Sequence, residues 1–262
     1  MIFVIGSRGR LGKSLCKAYE GQNVSRIARD VYQDWWQKDK ISDIQSFFKN
    51  QKYDLGTLYI ASGVIDPNQN PDEIFNVNYA LPKNIILALQ QTNMKIVTFG
   101  TIMETLRDGQ NNYIQSKIKL ADFVTSAASQ PVSCLHARIH TLYGVDSPSP
   151  FMFLGQIVNS LALNTSFEMT SGLQLREYHH TQDDISAIDK ILSSKSCGII
   201  DINHGSAIRL KDLATQIFTA FGKRHLLKIG SSNKDKIENY KNIFERPEVL
   251  KDSHFRDTVP AV

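Results

Sequence analysis

The chain has 262 residues, 42% of them hydrophobic and 21% charged, a globular balance that excludes disordered, collagen-like and low-complexity classes. Its 30 basic residues against 26 acidic ones leave a net charge of +4, and no basic run is longer than two residues, so nucleic acid is not an expected partner. The three cysteines, Cys16, Cys134 and Cys197, are odd in number and far apart. They form neither a disulfide framework nor a zinc spacing, and a reducing cytoplasm is expected. No apolar stretch approaches the roughly 18 residues of a membrane span.

The segment Met1-Ile2-Phe3-Val4-Ile5-Gly6 has neither the basic lead nor the cleavage site of a signal peptide, and reads as a strand that starts the fold. Apolar, β-rich runs follow at Val24–Ala28, Leu58–Ala61, Lys95–Phe99, Cys134–Ile139 and Gly198–Ile202. Helical patterns lie between them near Leu11–Tyr19, Ile41–Asn50, Asp72–Gln91 and Asn112–Ala128. This alternation predicts βαβ units, and the continuous apolarity of each run predicts an α/β fold with a doubly wound parallel sheet covered on both faces. The rhythm breaks between Gly144 and Gly172 and again after His204. The expected domains are therefore 1–143 plus about 173–204 for the sheet, and about 144–172 plus 205–262 for a small second lobe.

Between the first strand and first helix lies Gly6-Ser7-Arg8-Gly9-Arg10-Leu11-Gly12. Glycines at this spacing arise by chance about 0.05 times in a chain of this composition, so the context carries weight. They allow a tight turn, bring the backbone close to a pyrophosphate and aim a helix N-terminus at the anion. The loop is expected to bind a dinucleotide. An acidic residue normally closes the second strand of an NAD site; here Arg29 stands there. With Arg8 in the loop it offers two guanidinium forks to a 2′-phosphate, which favours NADP(H). Asp30, one position on, is the counter-signal that keeps NAD(H) open.

Tyr113-Ile114-Gln115-Ser116-Lys117 places a phenol and an ammonium on one helix face. A second such pair, Tyr79 and Lys83, follows no strand end, whereas Tyr113 lies 12 residues after Thr101, which closes the run Lys95–Gly100. The C-terminal ends of parallel strands are where such sheets bind ligands.

The glycine loop, Thr101, Tyr113 and Lys117 resemble the short-chain dehydrogenase/reductase superfamily. Further residues are similar to its extended branch of nucleotide-sugar epimerases, dehydratases and reductases. Ala61-Ser62-Gly63 resembles the segment after the family's fourth strand that passes the cofactor. Asn78, with Pro82 and Asn84 after it, resembles the family's Asn-led helix motif. Arg138 and Tyr143-Gly144 resemble the stretch after its sixth strand. The segment from Gly172 through Arg176-Glu177-Tyr178-His179-His180-Thr181-Gln182-Asp183-Asp184 resembles the pattern Gly…Arg-Asp-Phe-Ile-His-Val-Asp-Asp. The likeness runs from Gly6 to about Asp212; the last 50 residues match nothing placed.

The resemblance implies a Rossmann-type sheet with a small substrate lobe. It makes Tyr113 the general acid, with Lys117 and the oxidised nicotinamide favouring the phenolate and Lys117 also bonding the nicotinamide ribose. Thr101 would hold the substrate oxygen, and Asn78 would orient a helix and a relay water. Arg176 would contact a nucleotide diphosphate, with help from Arg209 or Arg256. Asp39 would reach the adenine, while Trp35 and Trp36 would cover the sheet edge or pack near that base. No metal is expected: His136, His140, His179 and His180 show no ligand spacing and read as packed or exposed histidines.

Family dehydratases carry Asp-Glu after the strand-end Thr; here Ile102-Met103 follow Thr101 and Glu104 is displaced, which disfavours dehydration. Arg29, the short chain and the reduced lobe favour a 4-keto reductase finishing nucleotide-activated deoxysugars for bacterial surface polysaccharide or lipopolysaccharide. The alternatives are an epimerase with tightly held NAD and, in another class, a non-catalytic NADP(H)-binding sensor or scaffold. The apolar faces of Asp72–Gln91 and Asn112–Ala128 would allow a homodimer through a four-helix contact.

Overall fold

The computed structural model describes residues 1–50, 55–106, 111–127, 133–144, 147–232 and 238–258. Along the chain run β1 (Ile2–Ile5), α1 (Arg10–Ala18), β2 (Val24–Ile27), α2 (Arg29–Tyr32), α3 (Ile41–Asn50), β3 (Leu55–Ile60), α4 (Pro71–Phe75), α5 (Leu81–Leu89), β4 (Asn93–Thr101), α6 (Asn112–Ala127) and β5 (Ser133–Ile139). Then come β6 (Thr141–Tyr143), α7 (Phe153–Leu163), β7 (Phe167–Met169), β8 (Leu175–Arg176), β9 (Tyr178–His180), α8 (Thr181–Ser193), β10 (Gly198–Asp201), β11 (Ile208–Arg209), α9 (Leu210–Ala220) and β12 (Leu227–Ile229). Among the described residues, no helix is long and apolar enough to cross a membrane.

The chain divides into two compact units. The first comprises Met1–Ile139, Ile185–Ile202 and Pro247–Asp252. Its six strands lie in the order β10-β5-β4-β3-β1-β2, and every pairing is parallel. Ile5 at the end of β1 is in register with Ile27 on one side and Ile60 on the other. The chain therefore leaves β1 toward both halves of the sheet, the switch point at which such sheets open a ligand crevice. Phe3, Val4, Ile5, Leu58 and Ile96 are fully buried, each stabilising the sheet by about 1.5–3 kcal/mol. Trp35 joins this core edge-on to Phe47, ring centroids 5.4 Å apart.

Two expectations change in this unit. The helix foreseen over Asp72–Gln91 is two helices joined by a wide π-helical turn, Asn76–Ala80. Pro82 has no N–H to give, and its ring would strike the carbonyl four residues back in a regular helix; the wider turn carries the chain past it. The Ala61–Gly63 segment follows the third strand along this chain rather than a fourth, because among the described residues no strand lies between β2 and β3. Arg138 correspondingly lies in the fifth.

The second unit comprises His140–Asp184, Asn203–Arg246 and Ser253–Val262. It is built on three strand pairs, β6 with β9, β8 with β11 and β7 with β12. Ile157 and Leu161 of α7 pack with Phe167, Phe218 and Leu227 in its core. Residues 173–184, placed with the sheet domain from sequence, fall in this unit, because β9 pairs with β6 and not with the six-stranded sheet.

Candidate active site

The glycine loop leaves β1 as expected. Gly6 has φ +80°, and a Cβ on it would lie 2.4 Å from Ser62 N. A Cβ on Gly12 would lie 2.1 Å from Gly6 O, so α1 approaches the loop as closely as only glycine permits. Gly9 caps α1, whose first turn holds no acidic residue and no side-chain cap. That leaves backbone N–H groups for an anion. Gly6, Ser7, Arg8 and Gly9 line a groove of ≈ 610 Å³ together with Ala61, Ser62 and Gly63. Arg10, Leu11 and Gly12 lie in α1, outside that lining.

Arg8, Arg29 and Asp30 line the same groove. So does Arg26, which the sequence reading passed over; its signal was an arginine at the exposed position of a short strand. Trp36 also lines it, while Trp35 belongs to the core. Buried Asn84 fixes this stretch by donating to Trp35 O (2.8 Å) and Gln37 O (2.9 Å). Asp39 is exposed on a 3-10 turn and is not among the lining residues, so the structure gives it no part in the groove. The residues present thus fit a dinucleotide: a glycine turn without room for side chains, a bare helix N-terminus, and three guanidiniums beside the β2 end.

Outside the groove lining, α6 carries Tyr113 and Lys117 one turn apart. Lys117 Nζ, buried, donates to Phe99 O of β4 at 2.8 Å, and burial pushes its ammonium down to about 8. A Cβ on Gly63 would lie 3.4 Å from Asn78 Oδ1 and 3.9 Å from Lys117 Nζ, which brings the loop after β3, Asn78 and Lys117 together. Asn78 sits in the π turn. Its Oδ1 accepts from Val64 N (2.9 Å), and its Nδ2 donates to Val64 O (2.8 Å) and Ser116 Oγ (3.1 Å). It clamps that loop to α6. The discarded pair serves packing, with Lys83 Nζ over the Tyr79 ring at 5.5 Å.

Thr101 ends β4 and starts a 3-10 turn. Its Oγ1 accepts from Met103 N at 3.3 Å, and its N–H donates to Glu104 Oε1 at 2.7 Å. Glu104 is fully buried. Its Oε2 also accepts from Arg138 Nε (2.9 Å) and His136 Nε2 (3.2 Å), while Arg138 reaches Asp201 at 3.5 Å. Burial opposes the charge on Glu104, but the bond and field of His136, the Thr101 N–H and Arg138 outweigh it and hold the carboxyl below its ordinary value. Sequence reasoning missed Glu104 as a support for Thr101, although Thr101-Ile102-Met103-Glu104 is a capping-box pattern. Burial, and then the Glu104 charge, raise the Tyr113 phenol above its ordinary value.

Arg176 lies on β8 of the second unit and is ion-paired with Glu238. There too, Arg256 pairs with Asp183 at 3.5 Å, and Arg209 stands exposed at the start of α9.

A doubly wound sheet with a dinucleotide loop at its switch point, and a Tyr/Lys helix beside a strand-end Thr, defines the extended short-chain dehydrogenase/reductase class. Within it, residues 2–203 match the NAD dependent epimerase/dehydratase family, and the chain belongs to that family. Its cofactor class is thereby a nicotinamide dinucleotide. No curated protein matches the chain. Among solved structures it is similar to a dTDP-4-dehydrorhamnose reductase from Clostridium acetobutylicum, with 20% identity, 87% of this chain and 82% of that one covered, and a TM-score of 0.70. The same enzyme from Bacillus anthracis, in complex with NADP, gives 16%, 88%, 84% and 0.72. A UDP-glucuronic acid 4-epimerase from Bacillus cereus, in complex with UDP-glucuronic acid and NAD, gives 14%, 98%, 94% and 0.76. At such identities the likeness shows the fold.

Proposed function

We propose that this chain uses NADPH to reduce a keto group on a nucleotide-activated deoxysugar, with Tyr113 as general acid, in the synthesis of bacterial surface polysaccharide. The observation that carries this reading is the placement of Tyr113 and Lys117 one turn apart on α6, with Lys117 Nζ donating to Phe99 O of the strand that ends at Thr101. When bound, NADPH supplies the hydride.

The chain's own residues do the rest. Thr101 Oγ1 accepts from Met103 N–H and keeps its own proton to donate to the substrate oxygen. Tyr113 passes its phenolic proton to that oxygen as negative charge develops there. Lys117, still largely ammonium at neutral pH, stabilises the phenolate left behind and holds the ribose hydroxyls. Arg8, Arg26 and Arg29 take the 2′-phosphate. Arg176 of the second unit remains the candidate contact for a nucleotide diphosphate, by the resemblance of its segment. All three cysteines are free thiols, in keeping with a cytoplasmic setting.

A second reading, an epimerase with retained NAD, rests on Asp30 in the groove lining. The test is NADPH oxidation against a panel of dTDP-, UDP-, GDP- and CDP-linked keto sugars. Tyr113→Phe is expected to lower turnover about 10²–10⁴-fold with NADPH affinity unchanged; a variant that keeps its activity overturns the acid assignment. Arg29→Ala is expected to weaken NADPH about tenfold while sparing NADH, because the lost fork serves only the 2′-phosphate. Equal losses, or NAD retained through purification, move the assignment to the epimerase. Cofactor binding with no turnover of any sugar leaves the sensor.

A further inference from the structure

The second unit buries a cluster that the proposed reaction does not use. Glu177 and His179 flank Tyr178 at the start of β9, so both point to the face opposite its ring. The parallel pairing sets Thr141 beside Tyr178, and His140, just before β6, comes beside Glu177. His140 Nε2, Glu177 Oε2 and His179 Nε2 all lie within 4.8 Å of one another, and all three residues are buried. Glu177 Oε2 is 3.0 Å from His179 Nε2 and 3.7 Å from His140 Nε2. Ligands on a tetrahedral zinc with bonds of about 2.1 Å stand about 3.4 Å apart, within this range.

Two independent observations point to a ligand. Asp184 Oδ1 lies 2.6 Å from His179 Nδ1, the outer carboxylate that fixes a metal-binding imidazole so that its Nε2 faces the ion. Glu177 Oε1 and His204 Nε2 are buried without a hydrogen-bond partner among the described residues, and an unpaired carboxylate oxygen in such a place is costly. Phe255 and Phe244 wall the cluster, with centroids 5.3 Å from His179 and 5.7 Å from His140.

We propose that His140, Glu177 and His179 bind a divalent transition-metal ion, zinc by donor chemistry, which ties β6 to β9. Two imidazoles and one carboxylate suit zinc better than magnesium or calcium, which take oxygen sets. Entry of the ion displaces the proton shared by His179 Nε2 and Glu177 Oε2, which leaves to solvent. It also moves the His140 proton, now facing Asn203 Oδ1 at 2.8 Å, to the other ring nitrogen.

The test is chelator-stripped, untagged full chain titrated with Zn²⁺ and Co²⁺, read by bound-metal stoichiometry, thermal midpoint and the visible Co²⁺ spectrum. One equivalent bound, a raised midpoint and the intense bands of four-coordinate Co²⁺ are expected. His179→Gln and His140→Gln should each weaken binding about 100-fold or more and Asp184→Asn about 10–100-fold, while His225→Gln, at an exposed histidine, leaves it unchanged. Far-UV circular dichroism reports whether each variant is folded. No stoichiometric uptake by the wild-type chain overturns the proposal whatever the variants do, as does an octahedral Co²⁺ spectrum. Binding that survives both histidine substitutions overturns it equally.

Discussion

Each unit buries one glutamate among cationic partners, and the two settings are built differently. Glu104 meets an arginine, a histidine and a backbone N–H, and both its oxygens have partners. Glu177 meets histidines and one backbone N–H, from His204 at 2.9 Å, with its second oxygen unpaired among the described residues. Arginine cannot shed its proton, whereas imidazole can. The first network is locked as a fixed support for Thr101. The second is open, with donors left over. A closed network serves positioning; an open one has capacity for a ligand.

The largest effect is expected from Glu104→Ala. It strands Arg138 and the Thr101 N–H beside a buried hole, costing about 3–5 kcal/mol as for other broken buried pairs, measured as the shift in urea midpoint at constant slope. A loss near zero would show that the support is not closed. Next, Glu177→Ala in the presence of chelator should cost about 2 kcal/mol, because the facing histidines can turn neutral. A loss equal to that of Glu104→Ala would erase the contrast.

The smallest effect, about 1–2 kcal/mol at pH 7, is a gain. Lys117→Met should stabilise the cofactor-free protein, since it removes a charge that burial disfavours, while the lost bond to Phe99 O, left buried without its donor, offsets about 1–3 kcal/mol of that gain. The folded-state value of about 8 lies below the ordinary 10.5. Between those values the unfolded chain holds the extra proton, so wild-type stability rises with pH across that window and the advantage of Lys117→Met fades toward pH 10. An advantage independent of pH would assign the gain to packing.

The sheet was legible because short runs rich in apolar residues alternate with helical patterns, and the glycine loop because its spacing sits in the one context that gives it meaning. Tyr113 and Lys117 could be chosen over Tyr79 and Lys83 because only they follow a strand end. What stayed hidden depends on partners far apart in sequence. Glu104 meets His136 and Arg138 only because β4 and β5 pair with Thr98 beside His136 and Gly100 beside Arg138. At Gly100 a Cβ would lie 2.3 Å from both Glu104 Oε1 and His136 Nε2, a constraint with no local signature. The histidine cluster likewise arises from the pairing of two short strands, and linear ligand spacing could not reveal it. The boundary near residue 173 was misplaced because no composition change marks where the chain switches sheets.

The wide turn at Asn76–Ala80 works as a phase shift between two helices. Ile74 before it and Ile85 and Ile86 after it are all buried, so packing on both sides fixes the rotation that the turn introduces. Removing one residue from this segment would shorten the chain trivially yet rotate α5 by about 100° against α4. Insertions and deletions there are therefore far less tolerable than in the surrounding loops, and the length of the segment is as much a determinant of the site as the identity of Asn78.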